Sequence, residues 1–356
     1  MLSVREFEDE LLVEISHRFF EEPGESTREI ANAINKEWEL ERPLTREQIY
    51  PLLREARRRR FFTLLPPLHS ALREAVAKKY ELPNHRLHVA PVRGNGALEI
   101  VAEKAADVIM GLIRDVAQKK DRVHIGLGAG GTMTQVAPRL ASRLRSEAEL
   151  PQLALHALSS GFNVERPHTA PVSFFSAFHG VAPDIKYFGL FAPAVVEKDN
   201  YKREIGRRGV VESFDRAADI DIIVSALAWS EDPDGELRHY IEDARDLEQM
   251  GRDGWIGDVL YQPFSAFGPL PEKAKMKAVS LFTLAQLAER ARTPGKHVVL
   301  VAGPCAYCGE RKGPALRPLL SSPELRVWSE VIMDIQTAEQ LLTPAATKPP
   351  TRARKR

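Results

Sequence analysis

The stretch RVHIGLGAGGTMTQVAPRLASRLR, residues 122–145, limits the fold of this chain more than any other. A β-prone run (Val123, His124, Ile125) meets a glycine cluster, and a helical pattern starts near Thr132. Glycine reaches φ > 0 without steric cost and lets a bound group come close to the backbone. The helix behind it offers unpaired N–H groups and the positive end of its dipole, which suit a phosphate. Strand, glycine turn and helix in that order open a βα unit with an anion cradle at the turn.

Two dinucleotide signals separate here. Gly126, Gly128 and Gly131 satisfy G-x-G-x-x-G. That fingerprint also wants an acidic residue closing the next strand, to hold the ribose. The next β-prone run, 153–158, leads instead into Ser159, Ser160 and Gly161. No Gly-Lys-Ser/Thr follows the loop, so the Walker pattern is missing too. No nicotinamide, flavin or other cofactor is expected. A small phosphorylated ligand such as a sugar phosphate fits Gly128, Gly130, Gly131 and Thr132, joined by Ser160 and Gly161 from the next strand end. The plain alternative is a glycine turn that closes a βα unit and binds nothing.

Beyond residue 97 the periodicity predicts helices over 97–117, 132–146, 199–208, 239–250 and 272–292. It predicts strands over 122–126, 153–158, 187–191, 220–225, 298–302 and 330–334, after a short strand at 87–90 and a linker helix at 68–80. Strands alternating with helices imply a parallel sheet covered on both faces, with ligands at the carboxyl ends of its strands. The 356 residues suggest two domains, and 44% apolar with 28% charged residues allows a substantial core. A formal charge of +1 gives no global field for nucleic acid or membrane. Two cysteines build no disulfide framework, the first residues do not read as a signal peptide, and no run approaches the ~20 apolar residues of a membrane span. A cytoplasmic protein is expected.

Residues 1–65 read as three short helices. Pro23-Gly24 stops the first, Ser26 or Thr27 caps the second, and Thr45 caps the third with Gln48 at the capping-box position. The pattern resembles a helix-turn-helix, which places the start of its last helix in the major groove. Arg46 and Gln48 would then reach base edges, and Thr45, Arg54, Arg57 and Arg58 would meet phosphates. Against this stand 11 Lys/Arg facing 14 Asp/Glu in the segment, and Pro51, expected to kink the third helix. A helical dimerisation or docking module is the alternative.

A buried strand, His297–Ala302, ends in Gly303 and runs into PCAYCGERK. Lys312 thus follows a strand end and can supply a cation to the cradle, or stand as a plain loop lysine. Cys305 and Cys308 form a lone C-x-x-C, half of the usual ligand set, and no metal is assigned. Asp258 sits before an irregular Gly/Pro-rich stretch, a plausible ligand-facing loop. His156, His168 and His179 lack metal spacing and read as structural.

Taken together, these segments resemble the SorC family of bacterial sugar-responsive transcription regulators. That resemblance implies a helix-turn-helix ahead of a Rossmann-like effector domain of the ribose-5-phosphate isomerase and glucosamine-6-phosphate deaminase type. The family's strand–Gly-Gly-Thr–helix falls on Gly130, Gly131 and Thr132, its Gly-x-Val-Gly-Asp passage on Asp258, its effector-binding lysine on Lys312. Its closing Thr-Asp-x-x-Thr-Ala matches Asp334, Thr337 and Ala338. Three departures stand out: Ser225-Ala226-Leu227 replaces a Gly-Ile-Gly, the loop before Lys312 is longer, and so is the turn before the third helix. The expected layout is a DNA-binding domain at 1–65, an effector domain at 66–343 and a disordered basic tail at 344–356. The expected function is a non-enzymatic regulator whose partners are operator DNA and a phosphorylated sugar, with no membrane, acting as a homodimer or homotetramer. The rivals are a sugar-phosphate isomerase or deaminase, with Asp258 as base, and an effector-binding protein that docks another protein.

Overall fold

A computed structural model describes residues 9–21, 25–38, 40, 42–59, 61–62, 67–147, 149–161, 165–182, 184–241, 244–270 and 276–344. The Pro23-Gly24 stop, Pro66 at the expected boundary and the tail beyond Pro344 lie outside these residues. The chain divides into two compact units, residues 1–65 and 66–356.

The first unit holds α1 (Asp9–Glu21), α2 (Thr27–Glu37) and α3 (Arg46–Arg58). Leu11, Leu12 and Ile15 of α1 meet Ile30 and Ile34 of α2 and Ile49, Leu52, Leu53 and Ala56 of α3 in one core. Each leucine or isoleucine of this core contributes roughly 1.5–3 kcal/mol on burial. Ser26 caps α2: its Oγ accepts from the Glu29 amide at 3.3 Å, while the Ser26 amide donates to Glu29 Oε2 at 2.7 Å. The turn into α3 is fastened by Asn35, whose side chain accepts from the Leu44 amide (2.6 Å) and donates to its carbonyl (2.9 Å). The helix α3 runs unbroken through Pro51, where the sequence expects a kink, to Arg58. The bond proline removes would have gone to the carbonyl of the exposed Glu47, and the buried residues on either side hold the helix.

In the second unit α4 (Ser70–Lys79) and β1 (Leu87–Ala90) precede α5 (Ala97–Ala117), β2 (Arg122–Leu127), α6 (Met133–Arg145) and β3 (Gln152–Ala157). Then come β4 (Lys186–Phe188), β5 (Val195–Glu197), α7 (Tyr201–Ile205), α8 (Val211–Asp215) and β6 (Ile222–Trp229). After these follow α9 (Glu236–Tyr240), α10 (Ala244–Arg252), β7 (Gly257–Val259), β8 (Gln262–Phe264), β9 (Met276–Ala278) and α11 (Leu284–Arg290). The chain closes with β10 (His297–Ala302), α12 (Gly313–Ser321), β11 (Glu330–Asp334) and α13 (Ile335–Leu342).

The strands order as β1-β11-β10-β6-β2-β3-β4, all parallel, with β7 and β8 added antiparallel at the end of β6. Successive side chains of a strand point to opposite faces. Val298, Leu300 and Ala302 of β10 accordingly pack with α11, α12 and α13, while Val299 and Val301 pack with α5 and α6. The two-faced parallel sheet expected from the alternation is therefore present. Arg139 and Arg143 of α6 reach Glu103 and Asp107 of α5 at 2.9 Å, tying down the helix that starts at the glycine cluster.

Several expected elements change. The helix at 272–292 is instead β9, paired with β5, and then the short α11, capped by Thr283 and Gln286. Val279 and Leu281 are held by backbone bonds to Ala194 and Leu158, so this run serves as extended structure. The helix at 239–250 becomes α9 and α10, the one at 199–208 shrinks to α7 ending before Gly206, and the strand at 187–191 shortens to β4. Asp258 belongs to β7, opposite Ala228, and not to a loop.

Candidate functional site

The parallel strands that feed the site do so at or near their carboxyl ends. β2, β6 and β10 run side by side and parallel, so the segments after Leu127, Trp229 and Ala302 meet at one edge of the sheet. β7, hydrogen-bonded to the end of β6, brings Asp258 to the same edge. The resulting cleft is lined by Gly130, Gly131, Thr132, Ser159, Asp258 and Lys312.

Its floor is the glycine turn. Gly130 has φ 109°, a conformation that side chains rarely adopt, and its amide donates to the Thr169 carbonyl at 3.0 Å. Its own carbonyl accepts from the Met133 amide at 2.9 Å, which starts α6. A Cβ on Gly131 would sit 2.9 Å from Ala306 Cβ, so the turn needs glycine there for the approach of the 305–308 loop. Among the described residues, the Gly131 and Thr132 amides make no hydrogen bond. They are donors left for an anion at the start of a thirteen-residue helix.

Lys312 is buried, and its Nζ donates to Thr132 Oγ1 at 3.2 Å. Burial lowers its pKa, against the pull of Cys305, Asp232, Asp258 and Cys308. It makes no ion pair among the described residues. Burial also pushes the Asp258 carboxyl up to about 7, with Lys312 and the Tyr261 backbone acting the other way. A buried ammonium, a buried carboxyl of raised pKa and two free amides thus share one cleft, a combination that marks functional sites. An anion seated on the amides would stabilise the charged form of Lys312.

Of the sequence candidates, the fold brings Gly130, Gly131, Thr132, Asp258 and Lys312 together around the cleft. Gly128, Ser160 and Gly161 are not among its lining residues. The Gly128 amide is committed to the Val224 carbonyl (2.8 Å), and a Cβ there would crowd Leu260 and Ser225 at 2.9 Å. Ser160 Oγ accepts from the Ala192 amide at 3.1 Å, and Gly161 packs under Tyr261 Oη. Ser159, the neighbour of Ser160, does line the cleft, as does Ser225, and the buried Ser159 hydroxyl has no hydrogen-bond partner among the described residues. Asp232, Asp234 and Tyr307 also line it and were missed by sequence reasoning. Tyr307 is held by Arg166, 4.1 Å from its ring centre, and by His168 Nε2 at 3.2 Å. Asp334 caps α13 by accepting from the Thr337 amide (2.6 Å) and lies 2.8 Å from Arg311 Nε; with buried Thr337 and Ala338 it supports the loop that carries Lys312. His156 is buried, hydrogen-bonded to His124 (2.9 Å) and stacked on Phe188, a structural role.

In the first unit, Thr45 precedes α3 and its amide donates to Gln48 Oε1 at 2.7 Å, so the Gln48 oxygen is committed to the cap. Arg46, Arg54 and Arg57 are exposed. Arg58 is exposed too but lies on Glu55, Nε to Oε2 at 2.7 Å, and Arg59 bonds the same carboxylate at 2.8 Å. These guanidinium groups hold the Glu55 carboxyl down to about 2.

No protein-family model and no curated protein matches the sequence. Solved structures match its fold. The full-length sorbitol operon regulator SorC from Klebsiella pneumoniae is 14% identical, with a TM-score of 0.66 over 95% of this chain and 99% of that one. A DeoR family transcriptional regulator from Listeria monocytogenes is 18% identical (TM-score 0.58; 76% of this chain, 98% of that one). A transcriptional regulator from Streptococcus pneumoniae is 16% identical (TM-score 0.55; 76% and 95%). Among the described residues no helix is long and apolar enough to cross a membrane. The chain therefore has the fold of the sugar-operon regulator, its three N-terminal helices included.

Proposed function

We propose that this protein is a transcription regulator whose affinity for operator DNA is set by a phosphorylated sugar held at the cleft. One observation carries the reading: the buried Lys312 ammonium stands on Thr132 beside the two unengaged amides of Gly131 and Thr132. That arrangement suits a phosphate dianion and gives little to a neutral ligand. Asp258 and Ser159 then face the hydroxyl-bearing part of the ligand. The names of the neighbouring structures, sugar-operon and transcription regulators, support the same assignment. Residues 1–65 are the DNA reader in this reading, residues 66–343 the effector domain and 344–356 a basic tail.

DNA reading falls to α3, with Arg46 toward base edges and Arg54 and Arg57 toward phosphates. Paired half-sites require paired readers, so the protein acts as a homodimer or homotetramer. Effector and DNA each change the other's affinity by an equal factor, commonly ~1–3 kcal/mol.

The test is a gel-shift titration of the purified protein on DNA from upstream of its own coding region, with and without a panel of sugar phosphates. The expected result is a specific shift altered by one phosphosugar, and an unresponsive Lys312→Ala variant that still binds DNA. A phosphosugar that stabilises the protein against heat, with no DNA shift under any condition, would sink the DNA-reading half. Turnover of that phosphosugar would replace the regulator by an enzyme.

A further inference from the structure

The loop between β10 and α12 holds chemistry that the phosphate cradle does not use. Its backbone folds back on itself: the Cys305 amide donates to the Glu310 carbonyl (2.9 Å), and the Gly309 amide donates to the Cys305 carbonyl (3.2 Å). Opposite it, the segment leaving β6 carries Asp232 and Asp234, because β6 and β10 are parallel neighbours ending at one sheet edge. The two Sγ atoms and one carboxylate oxygen from each aspartate all lie within 4.8 Å of one another. Cys308 Sγ is 3.3 Å from Asp232 Oδ1. Asp232 and Cys305 are buried, and Asp232 makes no ion pair among the described residues. Asp234 is oriented from behind by Arg166, whose guanidinium donates to Oδ1 at 2.6 Å. Ligating carboxylates commonly have such an outer partner.

We propose that Cys305, Cys308, Asp232 and Asp234 bind one thiophilic divalent cation of the zinc class. Tetrahedral bonds of ~2.3 Å to sulfur and ~2.0 Å to oxygen set the donors roughly 3.3–3.8 Å apart, which this cluster reaches by small side-chain rotations. Two thiolates select zinc over magnesium or calcium, and the carboxylates complete the count of four. Binding forms two metal–sulfur and two metal–oxygen bonds, and each thiol proton leaves to solvent; nothing is oxidised or reduced. The same loop presents Ala306 and Tyr307 to Gly131, so the cation would clamp the wall of the cradle. The site stands on its own donors and does not depend on which anion the cradle takes.

The experiment uses the full chain, reduced and chelator-treated, titrated with Co²⁺ and then Zn²⁺. The expected result is thiolate-to-cobalt charge transfer and intense tetrahedral d–d bands that saturate at one ion per chain and are bleached by Zn²⁺. Zn²⁺ should slow alkylation of both thiols at least tenfold. Cys308→Ser, at an exposed position, should lose the charge-transfer band that two thiolates give. Asp232→Asn leaves both thiols in place and should weaken Co²⁺ binding at least tenfold. Wild-type protein of native circular dichroism that gives only weak octahedral cobalt bands, with alkylation unchanged by Zn²⁺, would overturn the site whatever the variants do.

Discussion

The Arg-rich end of α3 and the lysine of the cleft place cations in opposite settings. At that end of α3 Arg54, Arg57 and Arg58 are exposed, and the buried Glu55 lies between Arg58 and Arg59, its carboxyl held down to about 2. In the cleft the cation is single and buried, and the nearby Asp258 carboxyl is pushed up to about 7 by the same burial. Solvent screens the first arrangement, so each charge there counts for little and the sum counts. The second is buried, so its single charge acts with little screening. The difference suits the two expected partners: a polyanion read along a surface, and a small anion seized at one point.

The largest expected effect is therefore at Lys312. Removing one partner of a buried charge pair costs roughly 2–5 kcal/mol. Lys312→Ala should weaken phosphosugar binding by calorimetry at least thirtyfold and leave DNA affinity without effector within twofold. An equal loss from Arg57→Ala would erase the contrast between the two settings.

Next comes a pair of acids with opposite signs. The folded-state pKa of Asp258, about 7, lies above its ordinary 3.8, so between those values the folded chain keeps a proton the unfolded chain gives up. Its stabilising contribution is complete below pH 3.8 and is lost as the pH rises through 7. Asp258→Asn should accordingly raise stability at pH 8 by on the order of 2–4 kcal/mol and change it little at pH 4. Glu55 is depressed from 4.5 to about 2, so its contribution is present above 4.5 and is lost as the pH falls through 2. Glu55→Gln should destabilise the first unit at pH 7, and the deficit should close on acidification. Urea titrations of both variants across that range check the signs. A destabilised Asp258→Asn at pH 8 would mean that the carboxylate is held by something the raised pKa does not reflect.

Gly131→Ala sharpens the comparison from the backbone side. The added methyl would lie 2.9 Å from Ala306 Cβ and from Tyr307 Cε2, so the 305–308 loop must move. Crowding of this kind typically costs 1–3 kcal/mol. Phosphosugar affinity should fall about tenfold while the salt dependence of DNA binding stays the same. Thermal shift with and without ligand reads the first, and binding at two salt concentrations the second.

How much of this was legible in the sequence depended on whether the signal was local. Gly130, Gly131 and Thr132 were readable because a turn needing φ 109° and a close backbone approach leaves its mark in residue type. Lys312 was readable because a buried apolar strand announces its own carboxyl end. Ser159 against its neighbour Ser160 was not, since the choice follows from where β3 stops alternating: the Ser159 hydroxyl faces the cleft and Ser160 faces Ala192. Asp232 and Asp234 were invisible beside the C-x-x-C because only the parallel pairing of β6 with β10 joins segments some 70 residues apart. The helix read at 272–292 failed for a related reason. Its Ala, Lys and Leu content favours helix, but partners distant in the same chain, Val195–Glu197 and Ser159, claim residues 276–278 and 280 as extended backbone.

The smallest expected effect separates two arginines one residue apart. Arg57 is exposed and makes no ion pair among the described residues, whereas Arg58 lies on Glu55. If α3 lies against DNA, removing one arginine–phosphate pair should reduce the slope of log affinity against log salt by about 1. Arg57→Ala should show that full change. Arg58→Ala should show less than half of it, because its charge is already shared with a carboxylate whose low pKa keeps it ionised at any working pH. Equal slopes for the two would mean that DNA strips Arg58 from Glu55. The ion pair would then be a feature of the free protein alone, and all the exposed arginines of α3 would count alike. A slope unchanged by either would take α3 off the DNA.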